Sequence, residues 1–276
     1  MKKLGLTLGG GGARGLAHIG VLKVLAAEGI PIFCLSGSSM GGIIAAAYAT
    51  GMSPEEIEDH ALRFSRPREL LKLVDIKPPR RGLVEGKRVR SFLTSLFGTA
   101  TTFADLKYPL ALCAVDLIRA CTVSLCEGNL LDAVLATSGV PGLFPSQEIG
   151  DYRLVDGGVL NNVPVDLARG LGADVVLAVA PQHEPSNEPL WQDLPNHPRW
   201  PTSMPKFLLD FYRAELIMIA ELTRFQLAIS QPEVVLRPAV PPEVTMFMGF
   251  RRAAEVIAIG EETARQALPE LLKLVI

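Results

Sequence analysis

The feature that most constrains this chain is the pentapeptide Gly37-Ser38-Ser39-Met40-Gly41, which lies between a short apolar run and a run of small residues. The pattern G-x-S-x-G in that context is typical of a nucleophile elbow, a sharp turn between a strand and a helix. Gly37 and Gly41 stand two positions either side of Ser39, where a Cβ would collide as strand and helix approach each other. The sequence therefore predicts an α/β fold in which Ser39, rather than Ser38, is the nucleophile.

A glycine-rich stretch, residues 9–15, follows the first apolar run of the chain and precedes a helical pattern. A dinucleotide site would need an acid at the end of the next strand, and a Walker loop would need a lysine after the last glycine, and both are missing. The N–H groups of consecutive glycines can instead converge on a developing oxyanion. We assign that role to Gly10, Gly11 and Gly12, and we expect Arg14 to anchor the loop or to help hold an anionic head group.

Asp156 ends a later apolar run and precedes two glycines. A carboxylate at a strand end can come close to a serine hydroxyl and take its proton. An Asp-Gly hairpin turn is an equally common interpretation of the same residues. His183 and His197 follow Asp156 and keep the chain order of an α/β-hydrolase triad, so a triad stays open beside a pair formed by Ser39 and Asp156. His18 is expected to be a hydrogen-bonded structural residue.

Composition excludes several classes of protein. A net charge of −2 argues against a general nucleic-acid binder. None of the four cysteines forms a C-x-x-C pair, and Cys34 and Cys113 fall in apolar runs, which predicts reduced, buried thiols and no metal site. The N-terminus lacks the apolar core of a signal peptide, so the sequence predicts a cytoplasmic protein.

Two stretches are expected to shape the entrance of the site. Residues 66–90, the first part of an insertion that extends to about residue 102, contain nine Lys or Arg against three acids. Both a solvated surface insertion and a lid that meets an anionic lipid surface fit this composition. Residues 181–205 contain seven prolines and predict a loop over the site.

Three signatures stand together in this chain: Gly10-Gly11-Gly12-Ala13-Arg14-Gly15, the elbow around Ser39, and Asp156-Gly157-Gly158. In this order and spacing the chain resembles the bacterial patatin-like phospholipases. The resemblance implies one catalytic domain over residues 1–276, folded as a three-layer α/β/α sandwich with a central, mostly parallel sheet. It also implies a dyad of Ser39 and Asp156 without histidine, metal or cofactor. The supporting residues are then Arg14, Gly37, Gly41, Gly157 and Gly158.

The sequence thus leads to the hypothesis of a serine lipid acyl hydrolase of phospholipase A or lysophospholipase type. Its substrate would be a lipid ester, and residues 66–90 would bring it to the inner face of the membrane. A lipid acyltransferase is one alternative, because an acyl-enzyme can pass its acyl group to an alcohol instead of water. A non-catalytic docking or regulatory protein is another. The sequence leaves the oligomeric state open.

Overall fold

The structure is a computed structural model that describes residues 2–66, 86–182, 184, 206–245 and 249–275. The β-strands in these residues are β1 (Leu4–Leu8), β2 (Ile32–Gly37), β3 (Leu110–Asp116), β4 (Cys121–Leu125), β5 (Gln147–Ile149), β6 (Tyr152–Asp156), β7 (Val175–Val179) and β8 (Val234–Leu236). The α-helices are α1 (Ala17–Ala27), α2 (Ser39–Ala49), α3 (Pro54–Phe64), α4 (Lys87–Phe97), α5 (Leu130–Thr137), α6 (Val165–Gly170), α7 (Lys206–Ser230) and α8 (Ala253–Val275).

The strands form one sheet in which β5, β6, β3, β2, β1, β7 and β8 are successive neighbours. Five of them, from β3 to β8 in this order, run parallel, whereas β4 and β6 pair antiparallel with β3 and β5 pairs antiparallel with β6. The predicted mostly parallel sheet is therefore confirmed. The chain leaves β1 first toward β2 and later returns to β7 on its other side. The loop after β1 consequently lies at a topological switch point, where sheets of this kind bind ligands.

β2 and β6 share one edge of β3. β2 pairs with Leu110 to Leu112 and β6 pairs with Ala114 to Asp116, while β4 takes the opposite edge. Because β2 runs parallel and β6 antiparallel to β3, the two strands point their carboxyl ends at each other on either side of Cys113. We call this meeting point the strand joint. It brings the residues after Gly37 next to Asp156.

Helices cover both faces of the sheet, which is why its central strands are apolar on both sides. On one face, Leu4, Leu6 and Leu8 of β1 lie in a large core with α1, α2, α5 and α8. On the other face, Val176 and Ala178 of β7 lie in a smaller core to which α6 and α7 contribute. The three-layer arrangement is the one that the sequence predicted.

α1 and α8 cross at two glycines. A Cβ on Gly20 would overlap the carbonyl oxygen of Ile257, and a Cβ on Gly260 would overlap that of Ala17. Beside the crossing, Lys23 of α1 forms ion pairs with Glu58 at 2.8 Å and Glu261 at 2.6 Å. The C-terminal helix is thus packed directly against the helix that follows the glycine loop.

The two predicted surface stretches fall mostly outside the described residues, which omit 67–85 and 185–205. Residues 87–90, the end of the basic stretch, are the first turn of α4 rather than irregular chain. Their helical state follows from the apolar spacing of α4, which buries Leu93 and Phe97. The lid and the proline-rich loop stay predictions.

The cysteines divide into two groups. Cys34 and Cys113 are buried free thiols, as predicted, whereas Cys121 and Cys126 are exposed free thiols on and after β4. Among the described residues, no group of His, Cys, Asp and Glu side chains is arranged to hold a metal ion.

Candidate active site

Ser39 lies at the first position of α2, directly after β2, with φ +54°. This left-handed conformation is strained for a residue with a side chain, and such strain is typical of functional turns. Gly37 and Gly41 are required because neighbouring backbone lies too close to leave room for a side chain. A Cβ on Gly37 would lie 2.8 Å from Gly42, and one on Gly41 would overlap the carbonyl oxygen of Leu8. The structure therefore forms the turn that the pentapeptide predicts.

Asp156 ends β6 and is almost completely buried. Its Oδ1 accepts a hydrogen bond of 2.8 Å from the N–H of Gly158. The residues after Asp156 form a short 3₁₀ turn, Gly157–Val159, instead of a hairpin. The carboxyl group also interacts with the hydroxyls of Ser39 and Ser38. Its second oxygen, Oδ2, has no partner of regular hydrogen-bond geometry among the described residues. A buried carboxyl group that can accept a proton thus lies beside Ser39.

The pKa of Asp156 is raised from its ordinary 3.8 to about 6, mainly because burial disfavours the charged form. The nearby Ser39 hydroxyl and the hydrogen bond from the Gly158 N–H oppose this rise in pKa, and the negative charge of Glu215 adds to it. A carboxylate with a raised pKa is a stronger base than an exposed aspartate, and it is still mostly ionised at neutral pH.

At the strand joint, Thr137 at the end of α5 links the elbow to β3. Its hydroxyl donates to the carbonyl oxygen of Cys113 at 2.5 Å and accepts from the N–H of Ser39 at 3.2 Å. On the other side of the joint, a Cβ on Gly157 would overlap that same Cys113 carbonyl. Thr137 is a residue whose role sequence reasoning missed, because only the folded sheet places it under the elbow.

The glycine loop contributes fewer free donors than predicted. The N–H of Gly10 donates to the carbonyl oxygen of Asn162 at 3.0 Å, so it is occupied in this structure. Gly10 is needed instead for space, because a Cβ there would lie 2.5 Å from Oδ1 of Asn162 and 2.9 Å from Cβ of Ser39. No hydrogen bond of the Gly11 or Gly12 N–H is found within the described residues. Gly12 also has φ +56°, a conformation that favours glycine.

Asn162, His18 and Arg14 fix the glycine loop. The side-chain amide of Asn162 donates to the carbonyl oxygen of Gly10 at 3.4 Å. Asn162 therefore binds both the N–H and the carbonyl group of Gly10. Nε2 of His18 donates to the carbonyl oxygen of Gly9 at 2.7 Å, and Nε of Arg14 donates to that of Val244 at 2.8 Å. Arg14 thus has a contact that fits the anchoring role predicted for it.

His18 cannot serve as the catalytic base at this site. Burial lowers the pKa of His18 to about 4, although its hydrogen bond to Gly9 acts in the opposite direction. Its ring is therefore neutral, and the Nε2 proton is engaged by a carbonyl oxygen. This geometry is the structural role that the sequence predicted. His183 and His197, the two histidines of the triad alternative, lie outside the described residues.

Ser39 and Asp156 line the same narrow cleft. Gly11 lines one side, and Glu215 and Ile219 of α7 line another. Burial raises the pKa of the half-buried Glu215. The sequence carried no signal for this second carboxyl group, because α7 lies far along the chain and reaches the site only through tertiary packing.

Comparisons with known proteins found relatives by sequence and by fold. A family model described as patatin-like phospholipase matches residues 6–169. An uncharacterized NTE family protein of Mycobacterium tuberculosis is 31% identical over 178 residues, which are 64% of this chain and 49% of that protein. The neuropathy target esterase sws of Drosophila melanogaster is 30% identical over 180 residues, 64% of this chain and 13% of that protein. The chain thus spans about half the length, or less, of these curated relatives.

Among solved structures, VipD from Legionella pneumophila superimposes on 98% of this chain and 67% of its own, with a TM-score of 0.54. The sequences are 14% identical, so this likeness concerns the fold alone.

Proposed function

The chain belongs to the patatin-like phospholipase family, and on that premise we propose that it is a serine lipid acyl hydrolase. Its substrates would be carboxylic esters of phospholipids, lysophospholipids or related lipids. The observation that carries the proposal is the buried Asp156 carboxyl group beside the strained elbow residue Ser39, in one cleft. Neither feature serves packing, because strained turns and buried carboxylates cost stability.

In the proposed acylation step, Oγ of Ser39 attacks the ester carbonyl carbon and its proton passes to the carboxylate of Asp156. The carbonyl oxygen becomes an oxyanion, for which the N–H groups of Gly11 and Gly12 are the available donors. The intermediate collapses by breaking the carbon–oxygen bond of the ester. The leaving alkoxide takes the proton from Asp156, and the acyl group stays on Ser39.

Deacylation repeats these roles with water. Asp156 takes a proton from a water molecule, whose oxygen attacks the acyl-enzyme carbonyl. The second oxyanion collapses, Ser39 recovers its proton from Asp156, and the fatty acid leaves. An alcohol in place of water would make the enzyme an acyltransferase, which product analysis with a competing acceptor separates from hydrolysis.

The proposed setting is the cytoplasmic surface of a membrane, with residues 66–90 meeting anionic lipids. None of the helices in the described part of the chain combines the length and apolar character that crossing a bilayer requires. No nucleic acid, metal or cofactor enters the proposed reaction.

The test is intact-mass analysis after treatment with a fluorophosphonate, which bonds to activated serines. We expect one adduct on the wild type, none on Ser39→Ala, and slow labelling of Asp156→Asn. Ser124→Ala, which removes an exposed serine on β4, is the matched control and should label like the wild type. A folded wild type that neither labels nor hydrolyses a soluble ester would contradict the proposal.

A further inference from the structure

Helix α7 carries a second apolar side that the fold does not use. Its buried side, which includes Leu216, Ala220 and Leu227, packs on the protein. Six large apolar side chains of the same helix are exposed, and five of them share one side: Phe211, Met218, Leu222, Phe225 and Ile229. Phe211, Phe225 and Ile229 are 69%, 53% and 78% exposed. We call these five residues the α7 stripe.

The α7 stripe is continuous along the helix. The successive spacings of seven, four, three and four residues confine its members to an arc of about 60°, over a length of about 27 Å. The buried side of α7 is centred roughly 140° away. The stripe is therefore a separate apolar side of the helix and not the exposed margin of its buried side. A contiguous apolar patch of this length is the mark of an interaction surface rather than of ordinary surface composition.

The stripe borders the catalytic cleft. Glu215 and Ile219, which line the cleft, lie on the helix between the stripe and the buried side. Leu222 is the stripe residue nearest to them in angle. A molecule that covers the stripe therefore touches the wall of the cleft as well.

The charge around the stripe does not favour a strongly charged partner. Arg224, beside the stripe, forms an ion pair of 2.9 Å with Glu221, and its guanidinium lies 4.4 Å from the ring centre of Phe225. These two charges compensate each other. Glu215, on the cleft side of the stripe, is half-buried, and burial raises its pKa and so favours its neutral form. The stripe itself is apolar, which suits the acyl-chain boundary of a bilayer more than its phosphate groups.

We propose that the α7 stripe inserts into the surface of a lipid bilayer and thereby places the mouth of the cleft against the lipid. This inference rests on the proposed function, because a lipid ester must leave its bilayer to reach Ser39. A second copy of the chain is the rival occupant, since the spacing also suits helix pairing. Such pairing would set another helix beside Glu215, over the cleft, and would hinder the entry of a lipid.

The test compares the double variant Leu222→Gln/Phe225→Gln with Ile217→Gln. Ile217 is also an exposed apolar residue of α7, 43% exposed, but it lies away from the stripe. Binding is measured by flotation with unilamellar phosphatidylcholine vesicles. Turnover is measured on the same vesicles and on p-nitrophenyl butyrate, a water-soluble ester that needs no surface.

We expect the double variant to lose about tenfold or more in vesicle binding and vesicle hydrolysis, because two large apolar side chains no longer leave water. Its turnover of the soluble ester and its melting temperature should match the wild type. Ile217→Gln should match the wild type in every measurement.

Unchanged vesicle binding by the double variant would overturn the inference. So would a wild-type dimer that the two substitutions convert to a monomer. A large fall in the melting temperature of the double variant would also overturn it, because the protein itself would then cover the stripe. Failure of the proposed function looks different. In that case the wild type hydrolyses neither substrate, while the flotation result still decides whether the stripe binds lipid.

Discussion

Asp156 should make the folded protein less stable than it would be with a neutral group at that position. The pKa of Asp156 is about 6 in the folded protein, against 3.8 for an ordinary aspartate. A raised folded-state pKa means that the unfolded chain loses this proton first as the pH rises. Stability is therefore lost as the pH increases from about 4 to about 6, and the loss is complete at neutral pH.

The size of this cost follows from the two pKa values. A difference of about two pH units corresponds to about 3 kcal/mol at pH 7. Asp156→Asn removes the charge and keeps a side-chain oxygen that can accept from the Gly158 N–H. The variant should therefore be inactive. Its melting temperature should nevertheless exceed that of the wild type, by at most roughly 5–10 °C for a chain of this size.

The assay is thermal unfolding of both proteins at pH 7.5 and at pH 5. The advantage of Asp156→Asn should shrink at pH 5, where the wild-type carboxyl group is mostly protonated in the folded state. Asp151→Asn, at an exposed aspartate between β5 and β6, should leave the melting temperature unchanged at both values. An Asp156→Asn protein less stable than the wild type at pH 7.5, or an advantage independent of pH, would refute the reasoning.

Three further predictions concern the site and its support. Activity on a soluble ester should fall below about pH 6, where Asp156 becomes protonated. Glu215→Gln should move this acidic limb to lower pH, because it removes a negative charge that raises the pKa of Asp156. Both effects are measured by the dependence of kcat/KM on pH. Thr137→Val should lower kcat about tenfold with little change in KM, because the N–H of Ser39 loses its acceptor. Gly20→Ala should lower the free energy of unfolding by about 3 kcal/mol in urea titrations, because its Cβ overlaps α8.

Each of these has a matched control. Glu221→Gln, on the same helix as Glu215 but away from the cleft, should leave the pH profile in place. Thr137→Ser keeps the bridging hydroxyl and should restore kcat. Gly170→Ala should be tolerated, since its Cβ would meet no atom within 4 Å. An acidic limb that moves to higher pH in Glu215→Gln, a Thr137→Val enzyme of normal kcat, or a neutral Gly20→Ala would each contradict the corresponding argument.

The parts of the fold that sequence reasoning predicted are those whose signals are local. The apolar run before Gly37 and the small residues after Gly41 define a strand, a turn and a helix within sixteen residues. Ser53 and Glu56 form a reciprocal capping box at the start of α3, a contact that depends on residues only three positions apart. Such features need no knowledge of distant chain.

What the sequence could not supply depends on contacts between distant residues. The N–H of Gly10 is occupied by Asn162, more than a hundred residues later, so its predicted role as a donor changes to one of close approach. Thr137 and Glu215 likewise reach the site only because α5 and α7 carry them there. Pattern and propensity describe neighbours along the chain, whereas these roles follow from sheet order and helix packing.

The strand joint also gives the protein an internal chemical reporter. The thiol of Cys113 sits where β2 and β6 meet, and burial raises its pKa, so it is protected and poorly nucleophilic while the joint is closed. Cys34, within β2, is protected by the same sheet, whereas Cys121 and Cys126 are open to solvent. Faster alkylation of Cys113 than of Cys34 would therefore mean that the strand joint opens locally while the rest of the sheet stays folded. Equal alkylation rates would mean that Ser39 and Asp156 separate only when the whole domain unfolds.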